Sequence, residues 1–426
     1  MNDLDAQAQQ ILRGNDQGTY TVPTHGLYPY QWNWDSALAA WGVATFDLGR
    51  AWDELDTLMA SQWDTGMVPH IIFHRPCLEY FPGPEVWDTK QSPPSSGISQ
   101  PPVATIIARL IWEQDPAIGR ARLSQVYPAL LRWHRWWHEA RCMHGPAAVV
   151  HPWESGRDNA PDWDSGMAAV DGARVAPYVR RDTRHVLPHM RPTRKDYDRY
   201  IAMVEFGRGT GWKDRVITEQ GPFLMADPAI TFILLRAHED LCAMGRGLGQ
   251  DTSEIEQWAD ALRASLPFLW NDALGTYDAR DLRSGAFANT ISIGGFLAYL
   301  AGAAKPQLDA HLHRVWDAVQ FGIPSTDPAH SAFDAQKYWR GPCWPMMNAL
   351  LALGFRAAGR DDWAERLRRD TAALLAAHGF YEYFNPLDGT PCGGSNFTWT
   401  AAIWLAWARQ GSETPMPQND AKGATR

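Results

Sequence analysis

The chain has 426 residues, of which 45% are hydrophobic and 20% charged, with a formal net charge of −9. That composition suits a soluble globular protein with a large core. The negative balance argues against nucleic acid, whose binding calls for a basic face, and against a basic membrane-surface patch.

Five cysteines (Cys77, Cys142, Cys242, Cys343, Cys392) are widely spaced and lack any CxxC pairing, so neither a disulfide framework nor a zinc site is expected. Residues 1–16 are polar and show no apolar signal-peptide core. No apolar run reaches the ~18 residues of a membrane span. A cytoplasmic protein is the expectation. Tryptophan is unusually abundant, with 22 residues. About half of these are expected to fill a helical core, and the rest to lie in loops beside acids, where flat rings suit sugar faces.

Apolar residues recur at helical spacing almost throughout, and two kinds of helix alternate. Residues 3–13 are amphipathic and 35–47 apolar all round. Residues 50–62 are amphipathic, with Trp52, Leu55, Leu58 and Met59 on one side. Residues 101–112 open at Pro101-Pro102 and are apolar; 128–141 open at Pro128 and are amphipathic. The alternation continues through 227–241 (apolar), 254–269 (amphipathic), 287–302 (apolar), 306–320 (amphipathic), 345–358 (apolar), 361–377 (amphipathic) and 399–409 (apolar). The first element is an amphipathic helix without a partner, and the last is an apolar one. Pairing them closes a ring of six inner and six outer helices, an all-α (α/α)6 barrel, rather than an open array with polar caps. Residues 1–410 then form one catalytic domain with a lid insertion at about 165–226, and 411–426 form a disordered tail.

Links from an apolar to an amphipathic helix are short. The reverse links, 64–100, 142–226, 271–286, 321–344 and 379–398, are long and emerge at one end of the ring. Function is expected on that face.

Into the first apolar helix runs Tyr28-Pro29-Tyr30-Gln31-Trp32-Asn33-Trp34-Asp35. Asp35 is either its N-cap or, with Tyr28, Gln31, Trp32 and Trp34, part of a platform that stacks on a sugar and holds its hydroxyls. Gln100 is either a cap substitute or a substrate contact. Residues 151–164 then crowd Glu154, Asp158, Asp162 and Asp164 with Trp153 and Trp163 into a stretch of neither helical nor strand period. Gly156 stands where the backbone must turn or approach a ligand closely, followed by Arg157 and by Asp158, the candidate acid. The plainer reading pairs Asp158 with Arg157 or makes it a turn cap.

Residues 174–199 carry Arg174, Arg180, Arg181, Arg184, Arg191, Arg194, Lys195 and Arg199 against Asp182, Asp196 and Asp198. A basic insertion in an acidic chain suggests an anionic group on the substrate; a solvated loop is the alternative. Tyr178, Tyr197 and Tyr200 point to a lid. Tyr338, Trp339 and Trp344 form a candidate stacking wall. In the last link Glu382 lies among aromatics, and ring order places it across the mouth from Asp158. Inverting glycosidases use two such carboxyls about 6.5–9.5 Å apart. His134 and His138 have the spacing of a metal pair but lack the HExxH glutamate, and His311 and His313 read as surface or packing residues. No metal is expected.

Several segments, taken in this order, resemble glycoside hydrolase family 63, in its short branch of mannosylglycerate and glucosylglycerate hydrolases. They are Tyr30 to Asp35, Ser99-Gln100-Pro101-Pro102, Pro152 to Asp164, Tyr338 to Pro345, and Glu382-Tyr383 with Phe397 to Ala401. A more distant likeness is to the trehalases, which share Glu-Ser-Gly-x-Asp. The resemblance implies an (α/α)6 barrel and an inverting mechanism without cofactor. It also implies Asp158 as acid, Glu382 as base, Asp35 as a sugar ligand, and Arg191, Tyr197 and Tyr200 as residues of a mobile loop that holds glycerate. Larger members carry a β-domain for which this chain is too short, which favours a small substrate. The expectation is an inverting hydrolase of a small anionic α-hexosyl glycerate. The alternatives are a neutral α-glucosidase or trehalase-type enzyme on the same frame, an epimerase using His pairs, and a non-catalytic scaffold. The oligomeric state is left open, a homo-oligomer included.

Overall fold

The computed structural model describes residues 3–409; the tail expected at 411–426 lies outside the described residues. Six helices form the inside of a ring: Asn33–Val43, Val103–Gln114, Pro228–Leu248, Ile293–Phe296, Pro345–Ala357 and Thr398–Ile403. Six lie outside: Asp3–Asn15, Leu48–Ala60, Pro116–Arg141, Ser253–Ser265, Pro306–Asp317 and Asp361–His378. Sequence decides which is which. Every residue of Asn33–Val43 is buried, whereas Pro306–Asp317 buries only Leu308, Leu312, Val315 and Trp316, a single stripe at helical spacing.

The ring closes where the sequence left two unpaired helices. The sixth inner helix packs on the first. There Gly42 faces Ala402 so closely that a Cβ would meet its Cα at 2.3 Å, so only glycine permits this approach. The first outer helix joins the last inner one through Asn15, whose Nδ2 donates to Thr398 Oγ1 (2.9 Å), and through Trp404 Nε1 donating to Asp5 Oδ1 (2.8 Å).

Two helices differ from their expected bounds. The third outer helix begins at Pro116, not Pro128, because Asp115 caps it by accepting from Ile118 N (3.0 Å). Pro128 is exposed, and the carbonyl of Ser124 that it leaves without a partner belongs to an exposed residue, so the helix runs through. The fourth inner helix, expected over 287–302, is reduced to Ile293–Phe296 and a 3-10 turn at Leu297–Tyr299. Residues 287–292 form an irregular link instead, with Asn289 at φ 61°, held by Asp278, which accepts from the N–H groups of Asn289 and Thr290 (2.8 and 3.2 Å).

Links from inner to outer helices span a few residues; links from outer to inner are long and gather at the N-terminal ends of the inner helices. Short antiparallel strand pairs join one long link to another or fold a link back on itself. Gln31–Trp32 pairs with Ile71–Ile72, and Tyr381–Phe384 with Pro391–Ser395. The insertion between residues 165 and 226 is not all loop: Arg194–Gly209 and Asp214–Gln220 are helical. The first is started by a reciprocal cap between Thr193 and Asp196. Among the described residues no helix is long and apolar enough to cross a membrane.

Candidate active site

A cavity that opens to solvent lies at the face that carries the long links. Counting the segment 16–32 that leads into the first inner helix as the first of six links, residues from the first, second, third, fifth and last links line it. The inner helices enter from this side, so their N-terminal ends, with free N–H groups and partial positive charge, point toward it.

Asp158 reaches the cavity from the dense acidic stretch because two buried arginines hold the rest of that stretch down. Glu154 is clamped by Arg141, Nε to Oε2 and Nη2 to Oε1, both at 3.0 Å. Arg157 turns inward and spans Asp162 (3.1 Å) and Asp227 (2.9 Å). Between them Gly156 adopts φ 71°, and a Cβ there would lie 2.6 Å from the Trp34 ring. Tyr200 fixes the next residue by donating to the Asp158 carbonyl (2.6 Å). Asp164, by contrast, pairs at the surface with Arg340. Burial pushes the Asp158 carboxyl up to about 7; Arg191 opposes the rise, and Glu382 adds to it. A carboxylic acid that keeps its proton near neutral pH is suited to general acid catalysis.

Glu382 is fully buried on the strand Tyr381–Phe384. Its Oε1 accepts from the Tyr28 and Tyr338 hydroxyls, each at 3.1 Å, and its Oε2 accepts from Gly394 N (3.1 Å). Burial raises its pKa; Arg191, the Gly394 N–H and the two hydroxyls oppose that rise. Fixed donors and a nearby cation favour the ionised form, as a base requires.

Asp35 is not the N-cap of its helix. Trp32 holds that position without a side-chain bond, and Asp35 lies in the first turn, buried and facing the cavity. Gln100 does not cap the helix that follows it, Val103–Gln114; its Oε1 accepts from Trp34 N (3.2 Å) in the first inner helix, and the side chain lines the cavity. Trp32, Trp34, Trp153 and Tyr338 are lining residues too.

Two arginines of the basic insertion gather on Asp182, whereas Arg174, Arg184, Arg194 and Lys195 stay exposed. Arg180 binds Asp182 through Nε and Nη2 (3.0 and 2.6 Å), and Arg191 through Nε (3.1 Å). Burial would raise the Asp182 carboxyl, but Arg191 and Arg180 outweigh it and hold it below the usual range. Arg191 and Tyr197 face the cavity. Tyr178 stacks on Phe81 of the second link at 4.7 Å and 5°, so loops from two links clasp beside the mouth.

Five expected site residues do not line the cavity. Gln31 is buried, with Nε2 donating to Ser36 Oγ (2.8 Å). Arg157 is the buried bridge described above. Tyr200 acts on the Asp158 backbone. Trp339 and Trp344 are fully buried and stack on each other at 3.9 Å and 8°, behind Trp34 and Tyr338. Only four of the 22 tryptophans line the cavity, Trp32, Trp34, Trp153 and Trp399; the core takes far more than half. His70, Tyr80, Phe81, Asp182 and Trp399 also line it. Glu79-Tyr80-Phe81 carried the same acid-and-aromatic signal as the other links. His70 had none, since its role depends on Ser96 Oγ at 2.6 Å from its Nδ1 and on stacking with Trp153. The histidines set aside as a metal pair lie elsewhere: His134 is buried, with Nε2 2.7 Å from Thr105 Oγ1. Among the described residues no group of three or more His, Cys, Asp or Glu is placed to hold a metal.

Comparison with known proteins agrees with this geometry. The family described as mannosylglycerate hydrolase MGH1-like glycoside hydrolase domain matches residues 28–400. Mannosylglycerate hydrolase MGH2 of Selaginella moellendorffii is 42% identical over 94% of this chain and 84% of its own. Glucosylglycerate hydrolase of Mycolicibacterium hassiacum is 34% identical over 95% and 97%. Among solved structures, the GH63 mannosylglycerate hydrolase of Thermus thermophilus in complex with Tris and D-glycerate superposes with a TM-score of 0.92. It is 41% identical, covering 95% of this chain and 100% of that one.

Proposed function

The chain belongs to the mannosylglycerate hydrolase MGH1-like glycoside hydrolase family, and on that premise we propose that it hydrolyses a small α-hexosyl glycerate to hexose and glycerate with inversion. The observation that carries the reading is the placing of Asp158, Glu382 and Arg191 on one cavity. Asp158 gives its proton to the glycosidic oxygen. Glu382 takes a proton from a water that attacks the anomeric carbon on the opposite face. Asp35, Gln100 and the rings of Trp32, Trp34 and Trp153 hold the hexose; Arg191 and Tyr197 hold the glycerate. Residues 165–226 serve as the lid of a single catalytic domain. The five cysteines are free, in keeping with a reducing, cytoplasmic compartment.

The neutral trehalase-type alternative gives Arg191 nothing to bind. Purified protein assayed on glucosylglycerate, mannosylglycerate and trehalose should prefer a glycerate glycoside by at least about a hundredfold in kcat/KM. Equal or better cleavage of trehalose overturns the assignment.

A further inference from the structure

The cation that faces the aglycone also touches the machinery of the base. Arg191 is only 5% exposed. Its Nε donates to Asp182, and its Nη1 donates to the Tyr28 hydroxyl (2.9 Å). Its guanidinium lies 4.2 Å over the Tyr338 ring. Tyr28 and Tyr338 in turn both donate to Glu382 Oε1, and their hydroxyls are 3.3 Å apart. One tyrosine hydroxyl therefore separates Arg191 from the base. Among the described residues its Nη2 makes no hydrogen bond, which leaves that nitrogen for a ligand.

The charged groups around this chain come from every link that borders it. Asp182, Arg180, Arg181 and His185 belong to the lid, with Tyr197 beside them, and His70, Glu79 and Tyr80 come from the second link. Asp158 comes from the third link, and Asp35 from the first inner helix, where it feels the charge of Glu382. Arg191 is the cation that opposes burial at both Asp158 and Glu382.

We propose that the carboxylate of the substrate, bound at Arg191, acts through the Tyr28–Tyr338–Glu382 contacts to set the protonation of the catalytic pair. The proposal rests on the function assigned above. The sign follows from charge alone. A carboxylate on Arg191 cancels the cation that favours ionisation of both acids, so both hold protons more tightly in the complex. Asp158 then stays loaded to higher pH, and Glu382 becomes a stronger base that ionises at higher pH. A neutral aglycone of the same shape leaves the cation uncompensated, and the acid loses its proton earlier. Selection for an anionic substrate is thereby expressed in kcat as well as in KM. Tyr28 is a positioning residue in this scheme, since it acts through Glu382.

The test compares glucosylglycerate with neutral glucosylglycerol over pH 4 to 9. The limbs of kcat/KM report the free enzyme and should coincide for the two substrates, whereas those of kcat report the complex. Both kcat limbs should lie about one pH unit higher with the glycerate glycoside. Tyr28→Phe, which keeps the ring and removes the bond to Glu382, should narrow the gap between the acidic limbs and leave the basic limbs apart. Coincident kcat limbs in the wild type overturn the proposal while leaving the assigned function intact. A turnover-independent arm uses D-glycerate alone. Calorimetry at pH 7 in two buffers of different ionisation enthalpy should show net proton uptake on binding, reduced in Asp158→Asn. Binding without proton uptake, or no binding, also overturns it.

Discussion

Replacing Glu382 by Gln should lower kcat on a glycerate glycoside by about a thousandfold, within the 10²–10⁴ range of general acid–base catalysis, with the fold unchanged. The substitution keeps an oxygen to accept from Tyr28 and Tyr338 but removes the group that takes the proton from water. Asp158→Asn should cost a similar factor for a different reason, the loss of the proton given to the leaving oxygen. An α-hexosyl fluoride separates the two roles, because fluoride leaves without needing a proton. Asp158→Asn should recover most of its rate on the fluoride, and Glu382→Gln should not. Equal recovery by both variants would contradict the assignment of roles.

The pH dependence follows from the same pair. Asp158 is active when protonated and titrates at about 7, so kcat/KM should fall as pH rises through that value; the pair titrates as a coupled unit. The stability consequence has a definite sign. The folded pKa of Asp158 lies above the unfolded value of about 3.9, so its contribution to stability is complete below that value and lost as pH rises through about 7. Asp158→Asn should therefore melt higher than the wild type at pH 8 and nearly level with it at pH 4.

Arg141→Met should destabilise the fold by roughly 3–5 kcal/mol. Arg141 and Glu154 are both 0% exposed. Glu154 also accepts from the backbone of Ser99 (3.2 Å) and Val150 (3.0 Å), which ties the second link and the approach to the acid loop to one carboxylate. Without the guanidinium a buried charge is left uncompensated. Asp214, bound to Arg141 Nη1 at 2.9 Å, loses a partner too, as does the Trp136 ring beneath it at 4.7 Å. Chemical denaturation checks the figure. The contrast is Arg135→Ala, which breaks the exposed pair with Glu254 and should cost under about 1 kcal/mol.

The barrel was legible because burial imprints itself on sequence. A helix apolar on every side has to lie inside, and one with a single apolar stripe outside. The unpaired first and last helices then left closure as the simplest arrangement. That Asp158 and Glu382 reach the cavity was legible because both stand in long links on the face where those links gather. What was not legible turns on direction. Arg157 adjoins Asp158 in sequence yet points into the core, because Asp162 and Asp227 wait there. Trp339 and Trp344 have the same composition signal as Trp34, but their rings stack face to face behind the wall. The helix Arg194–Gly209 was hidden by its charges, although Tyr197, Tyr200, Ile201 and Val204 fall on one helical face. Asp182 read as one acid among many arginines, and only the folded insertion shows it gathering two of them.

The most direct measurement is proton NMR of the hexose released in the first minutes of hydrolysis of an α-hexosyl glycerate, before the anomers equilibrate. With Asp158 as acid and Glu382 activating water from the opposite face, the β-anomer should appear first and the α-anomer grow in by mutarotation. Initial release of the α-anomer, or no hydrolysis of either the gluco or the manno substrate, would contradict the account.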